Sequence, residues 1–144
     1  MADVVMNPKM HPDLSNPDLL AALKAKRQSV VETLRLACVS LRSIRFANSL
    51  GAEDMVLTEI ILKERLPIGI FSLDTGRLPP ETYDLMTEIE RHYGQRIELY
   101  FPRHEAIEAY VRESGINGFY DSVAARHACC GLRKLEPLKR ALAG

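Results

Sequence analysis

The chain has 144 residues, 47% apolar and 26% charged, the composition of an ordinary folded domain rather than a disordered one. Its 19 basic residues equal its 19 acidic ones, so no global charge argues for nucleic acid or an anionic membrane, and any bound anion needs a local site. No run approaches the roughly 18 apolar residues of a membrane span, and residues 1–16 lack the basic-then-apolar order of a secretory signal.

Residues 1–16 read as a loose arm, and 17–144 as one α/β nucleotide-binding domain. Asn16-Pro17 is a helix start, a capping side chain followed by proline at the first helical position. Leu20, Leu23, Val30, Val31, Leu34, Cys38 and Leu41 then share one face, which predicts a helix over 17–40. The pattern next alternates. Residues 44–48 read as a short strand, and Val56, Leu57, Ile60 and Ile61 give the apolar face of a helix starting near Glu53. Residues 68–73 form a second strand, 81–93 a helix entered through Pro79-Pro80, 96–101 a third strand, and 104–114 a third helix, broken at Gly115–Gly118. This grammar predicts an open parallel sheet with helices on both faces, preceded by an N-terminal helix and joined by right-handed crossovers. After Gly118 the chain reads as short and helical, without a fourth strand. Three strands make a small sheet for this architecture, so the domain is expected to be truncated at its C-terminal side.

Ligands of open α/β sheets bind beyond the C-terminal strand ends. Ser49-Leu50-Gly51-Ala52-Glu53-Asp54 sits at one such end and opens a helix, whose free N–H groups suit a phosphate. Ser49 can add a hydroxyl donor, and Gly51 lets the backbone approach closely. The plain alternative is an ordinary strand-to-helix turn, and Glu53 and Asp54 oppose an anion unless their side chains turn away. Asp74-Thr75-Gly76-Arg77 lies at the next strand end. Asp74 could accept from a ribose or base, Thr75 could donate and Arg77 could meet an anion, while Asp, Thr and Gly equally serve a simple turn.

Three cysteines, two of them adjacent, make a poor disulfide framework and point to a reducing, cytoplasmic setting. Cys129 and Cys130 cannot readily pair with each other. They read either as two free thiols or as two ligands of one metal or cluster. Neighbouring helical positions diverge by about 100°, so the second reading needs a helix end or local distortion, which Gly131 permits. A cubane iron–sulfur cluster wants four thiolates. The third cysteine, Cys38, lies on the apolar face of the first helix and reads as core, so the ligand count falls short. Arg133 and Lys134 could lower thiolate pKa, screen a cluster's charge or meet an anionic substrate, or simply form a solvated basic turn.

Ser49 to Asp54, then Leu73-Asp74-Thr75-Gly76-Arg77 with Glu81-Thr82, then Cys129-Cys130-Gly131-Leu132-Arg133-Lys134 with Pro137-Leu138, together resemble the assimilatory adenylyl-sulfate and phosphoadenylyl-sulfate reductases. The resemblance covers about residues 44–140 and concerns an N-terminal portion of that family. It implies an adenine-nucleotide α-hydrolase-like, Rossmann-like fold. It implies substrate contacts from Ser49, Gly51, Ala52, Asp74, Thr75, Gly76, Arg77, Arg133 and Lys134. Cys129 and Cys130 would be two ligands of a 4Fe-4S cluster, with Lys134 acting electrostatically between cluster and substrate. The cysteine pair favours adenylyl sulfate over phosphoadenylyl sulfate. Thioredoxin or glutaredoxin would be the partner, and a homo-oligomer stays open. The family's second cysteine pair and catalytic Glu-Cys-Gly-Leu-His-type segment do not occur in these residues. No catalytic nucleophile is assigned here, and one is expected beyond Gly144. The rivals are a nucleotide-binding module without redox activity and a related pyrophosphate-loop ligase or sulfurylase subunit, whose loops are usually of Ser-Gly-Gly type.

Overall fold

The computed structural model describes residues 15–143, so the expected arm over 1–16 lies outside them except for Ser15 and Asn16. Helix α1 runs Pro17–Ser40. The Asn16 side chain caps it, accepting from the Asp18 and Leu19 N–H groups at 3.0 and 3.3 Å. Then follow β1 (Arg45–Ala47), α2 (Ala52–Lys63), β2 (Gly69–Leu73), α3 (Pro80–Tyr93), β3 (Glu98–Tyr100) and α4 (His104–Ser114). A 3-10 turn at Gly118–Tyr120 leads to α5 (Val123–Cys130), a π-helical turn at Gly131–Leu135 and α6 (Glu136–Leu142). Each expected element is present. The strands are shorter than expected because their outer residues leave the ladder.

The strands are parallel in the order β1-β2-β3, with Phe46 opposite Ile70 and Ser72 opposite Leu99. Right-handed crossovers in that order put α2 and α3 on the same face. On that face Ile61, Ile68 and Ile70 form the centre of the core, with Leu34, Cys38, Ile44, Phe46 and Ile97 packed around them. Only the second half of α1 reaches this core. Val31 is buried while Leu20, Leu23 and Leu41 stay exposed, so the expected apolar stripe is used over part of its length.

The opposite face must be covered by something later in the chain, and α6 does this. Phe71, fully buried, meets Tyr100 edge-on at 5.7 Å. The Arg45 guanidinium lies over both rings, donates to the Ala141 carbonyl at 2.8 Å and pairs with Glu98. Arg140 donates to the Phe101 carbonyl at 2.5 Å. This strap holds α6 over the sheet, with Pro137 and Ala141 buried.

A smaller tie joins α2 and α3. The Tyr93 hydroxyl donates to the Glu59 carboxylate, which also pairs with Lys63. Burial first, then Glu59, push Tyr93 up to about 12. The folded state therefore favours the protonated phenol. That stabilisation is complete below the ordinary phenol value near 10 and is lost as pH rises through about 12. Guanidinium unfolding at stepped pH is expected to show a falling midpoint across this window, and Tyr93→Phe should remove that part of the slope. Parallel slopes in parent and variant would refute the coupling.

Candidate functional site

Because the strands are parallel, the loops after β1 and β2 share one rim. The first loop is organised by a residue that sequence reasoning left inside the strand. Asn48, 3% exposed, donates from Nδ2 to Thr58 Oγ1 at 2.7 Å and accepts the Leu50 N–H on Oδ1 at 2.6 Å. Leu50 has φ +66°, a left-handed conformation that costs a leucine about 1–2 kcal/mol. Burial of its side chain and the Asn48 hydrogen bond hold it there. The available signal was an asparagine at a strand end, a residue that favours such side-chain-closed turns.

Ser49 is engaged within its own loop. Its N–H and its hydroxyl both donate to Asp54 Oδ2, at 2.7 and 2.6 Å, while its oxygen accepts the Gly51 N–H at 3.3 Å. The hydroxyl proton is thus directed at Asp54, and with the Ser49, Leu50 and Gly51 N–H groups accepted by side chains, an anion at this rim would meet the uncapped N–H groups at the start of α2. The conflict between an acidic helix start and an anion stands, since the Asp54 carboxylate lies within the loop and takes its Ser49 donors. Gly51 is the N-cap of α2 and Ala52 its first residue, and no side chain caps this end. A Cβ at Gly51 would lie 3.3 Å from Ser49 Oγ, so the close approach expected there is to the loop itself.

In the second loop Asp74, 5% exposed, accepts on Oδ1 from the Gly76 N–H at 2.7 Å and the Tyr83 hydroxyl at 3.1 Å. One carboxylate oxygen is therefore used to close the turn. Burial first, then Asp74, raise the Tyr83 pKa above that of an ordinary phenol. Thr75 Oγ1 accepts the Arg77 N–H at 3.3 Å. Arg77 was expected to meet an anion. Its guanidinium instead donates to the Ile116 carbonyl and Asn117 Oδ1, at 2.9 and 3.0 Å, and stacks 4.7 Å over Phe119. It ties this loop to the 3-10 turn.

The cysteine segment ends α5. A π-helical turn begins at Gly131, so the chain is locally underwound rather than broken. Arg133 turns inward, 7% exposed, and donates to the Thr75 carbonyl at 2.6 Å. Gly76 beside it takes φ +71°, a conformation that strains any side chain, and a Cβ there would touch an Arg133 nitrogen at 3.4 Å. Lys134 is exposed.

Two adjoining cavities result. The first, about 300 Å³, is floored by Phe71, Ser72 and Leu73 and walled by the first loop, Thr75, Leu78, Thr82, Lys134 and Leu138. Its mainly apolar lining with a few polar groups suits a flat base with polar substituents. The second, about 370 Å³, is lined by Thr75, Arg77, Phe119, Tyr120, Cys129, Cys130, Arg133 and Lys134. Thr75 and Lys134 belong to both. The structure thus brings Ser49, Thr75 and Lys134 to the first cavity and Arg77, Arg133 and both cysteines to the second. Gly51, Ala52, Asp74 and Gly76 line neither of these two cavities. Cys38 packs on the core, and among the described residues no three His, Cys, Asp or Glu side chains converge as a metal site.

The family model for the phosphoadenosine phosphosulfate reductase domain matches residues 43–144. An adenosine 5'-phosphosulfate reductase of Allochromatium vinosum is 58% identical over 139 residues, covering 96% of this chain and 53% of that protein. One of the same name from Burkholderia cepacia is 52% identical, covering 69% of this chain and 40% of that protein. The crystal structure of a phosphoadenylyl-sulfate reductase from Candida auris, a phosphate complex, superposes with a TM-score of 0.65 at 26% identity, over 77% of this chain and 53% of that one. The chain spans about half the length of the curated relatives it matches.

Proposed function

The chain belongs to the phosphoadenosine phosphosulfate reductase domain family, and on that premise we propose that it carries the sulfonucleotide-binding part of a cytoplasmic, thioredoxin- or glutaredoxin-dependent adenylyl-sulfate reductase of sulfate assimilation. The observation that carries this is the pair of adjoining cavities sharing Thr75 and Lys134. The apolar cavity takes the adenosine, and the phosphosulfate lies toward the shared Lys134. Adenylyl sulfate is preferred to phosphoadenylyl sulfate because the relatives near 50–58% identity bear the former's name, whereas the phosphoadenylyl-sulfate reductase is at 26%.

The reaction is a sulfonyl transfer. A cysteine thiolate attacks the sulfonate sulfur, the sulfur–oxygen bond to phosphate breaks, and AMP leaves from a cysteine S-sulfonate. A second thiol then displaces sulfite, and the resulting disulfide carries the oxidising equivalents. Neither core Cys38 nor the paired Cys129 and Cys130 is assigned as the nucleophile. Lys134 would stabilise charge developing on the leaving phosphate.

Cys129 and Cys130 would supply two of the four thiolates of a 4Fe-4S cluster. Their fit is local: adjacent thiols at an underwound helix end line one cavity beside the guanidinium of Arg133. When bound, such a cluster supplies a concentrated local charge and a fixed scaffold.

Calorimetry with adenylyl sulfate or AMP tests the reading. The chain should bind both, and Lys134→Ala should weaken binding about tenfold, or about 1.4 kcal/mol, within the range of hydrogen bonds to charged groups. Lys134→Arg should retain most of the affinity. Absence of binding by the parent chain, or an unchanged Lys134→Ala, would count against it.

A further inference from the structure

Among the described residues, two buried side-chain polar atoms lack a hydrogen-bond partner: the Tyr110 hydroxyl and Arg133 Nε. Both belong to the surroundings of one cysteine. Arg133 shares the second cavity with Cys129. Tyr110 rises from α4, 8% exposed. Its oxygen lies beside Gly118, 3.9 Å from where a Cβ would stand, and the 3-10 turn holding Gly118 packs against α5. Cys129 is the neighbour that acts most strongly on the hydroxyl, before Arg133 and Asp121, yet in the metal-free chain the two make no well-formed hydrogen bond. Cys129 is itself buried, whereas Cys130 is partly exposed.

A buried hydroxyl without an acceptor is costly, and native folds rarely tolerate one unless something else completes it. A neutral thiol is a weak acceptor. A metal-bound thiolate is a strong one, and donors around ligating groups fix their orientation and basicity. We infer that Tyr110 is a positioning residue, whose hydroxyl donates to the Cys129 sulfur when that cysteine is a metal-bound thiolate. The inference rests on the reading of Cys129 and Cys130 as ligands. It explains why a tyrosine rather than a phenylalanine occupies a buried site where, in the metal-free chain, its oxygen meets only the weakly accepting Cys129 thiol. It also separates the two thiols of the cavity: Cys129 is buried and held from within by α4, while Cys130 is partly exposed.

The role has a signature that a packing role lacks, because its two consequences differ in sign. In the metal-free chain Tyr110→Phe removes an unpaired hydroxyl and keeps the ring, so the unfolding temperature should stay unchanged or rise. With Cd²⁺ as probe, followed by thiolate-to-cadmium absorbance, the same variant should bind about tenfold more weakly than the parent. Cys129→Ser combined with Cys130→Ser should abolish the absorbance. Equal Cd²⁺ affinity in parent and Tyr110→Phe, with the absorbance present in both, would overturn the role of Tyr110 alone. A lowered unfolding temperature of metal-free Tyr110→Phe would also overturn it, marking the hydroxyl as an ordinary structural group. Absence of the absorbance in the parent would instead remove the ligand reading, and this inference with it.

Discussion

Asn48→Ala is expected to lower the unfolding free energy by about 2–4 kcal/mol, the sum of an orphaned buried donor, an orphaned buried acceptor and an unsupported left-handed leucine. The side chain is nearly inaccessible, and both ends are used, one on Thr58 and one on the Leu50 N–H. Without it only the burial of its own side chain holds Leu50 at φ +66°, and relaxation toward negative φ would swing Leu50 out of the wall of the apolar cavity. AMP affinity should therefore fall at least tenfold together with stability. Asn48→Asp should be intermediate, since it keeps the acceptor for Leu50 and loses the donor to Thr58. Urea unfolding and calorimetry on the same preparations check both effects. A change below about 0.5 kcal/mol in Asn48→Ala, the range typical of surface substitutions, would show that the loop is held by its neighbours instead.

Asn48 also marks where the sequence was legible and where it was not. Alternating short apolar runs and amphipathic segments announced three strands and their helices, because periodicity survives in one dimension. The side of the sheet each helix takes follows from handedness and strand order. The cover on the second face, α6 strapped by Arg45 and Arg140, depends on contacts between residues far apart in the chain. No local pattern announces those. At the site, Ser49, Asp74, Thr75, Arg77, Arg133 and Lys134 were all visible as polar residues at strand ends or beside the cysteines. Which of them face a ligand was not. Asp74 and Arg77 look like ligand contacts in sequence, and in the fold Asp74 also closes a turn while Arg77, at the second cavity, also joins two loops. A side chain's donors can be counted from its type, but their targets are set by what the fold puts opposite them. Lys134 kept its expected freedom because the π-helical turn points its neighbour, not itself, into the protein.

That division between neighbours gives the second large effect. Arg133→Ala should cost about 2–3 kcal/mol of stability, because it strands the Thr75 carbonyl and empties a buried volume, and it should weaken AMP binding as well. Arg133 donates to Thr75 at 2.6 Å, and Thr75 belongs to both cavities, so the tether joins their shared wall to the cysteine segment. Lys134→Ala, one residue on and exposed, should leave the urea midpoint where it was and change affinity only. Arg133→Lys tests whether charge or shape matters. A lysine keeps the charge but loses the planar fork and the reach of Nη1, so it should restore only a minor part of the lost stability. Gly76→Ala strains the same turn by a different route, since a side chain is unfavourable at a backbone φ of +71° while its Cβ would only touch Arg133 at 3.4 Å. It should cost about 1–2 kcal/mol through backbone strain, and in the double variant that cost should add to the loss from Arg133→Ala. A double variant costing clearly less than the sum would show instead that Arg133 itself holds Gly76 in its left-handed conformation.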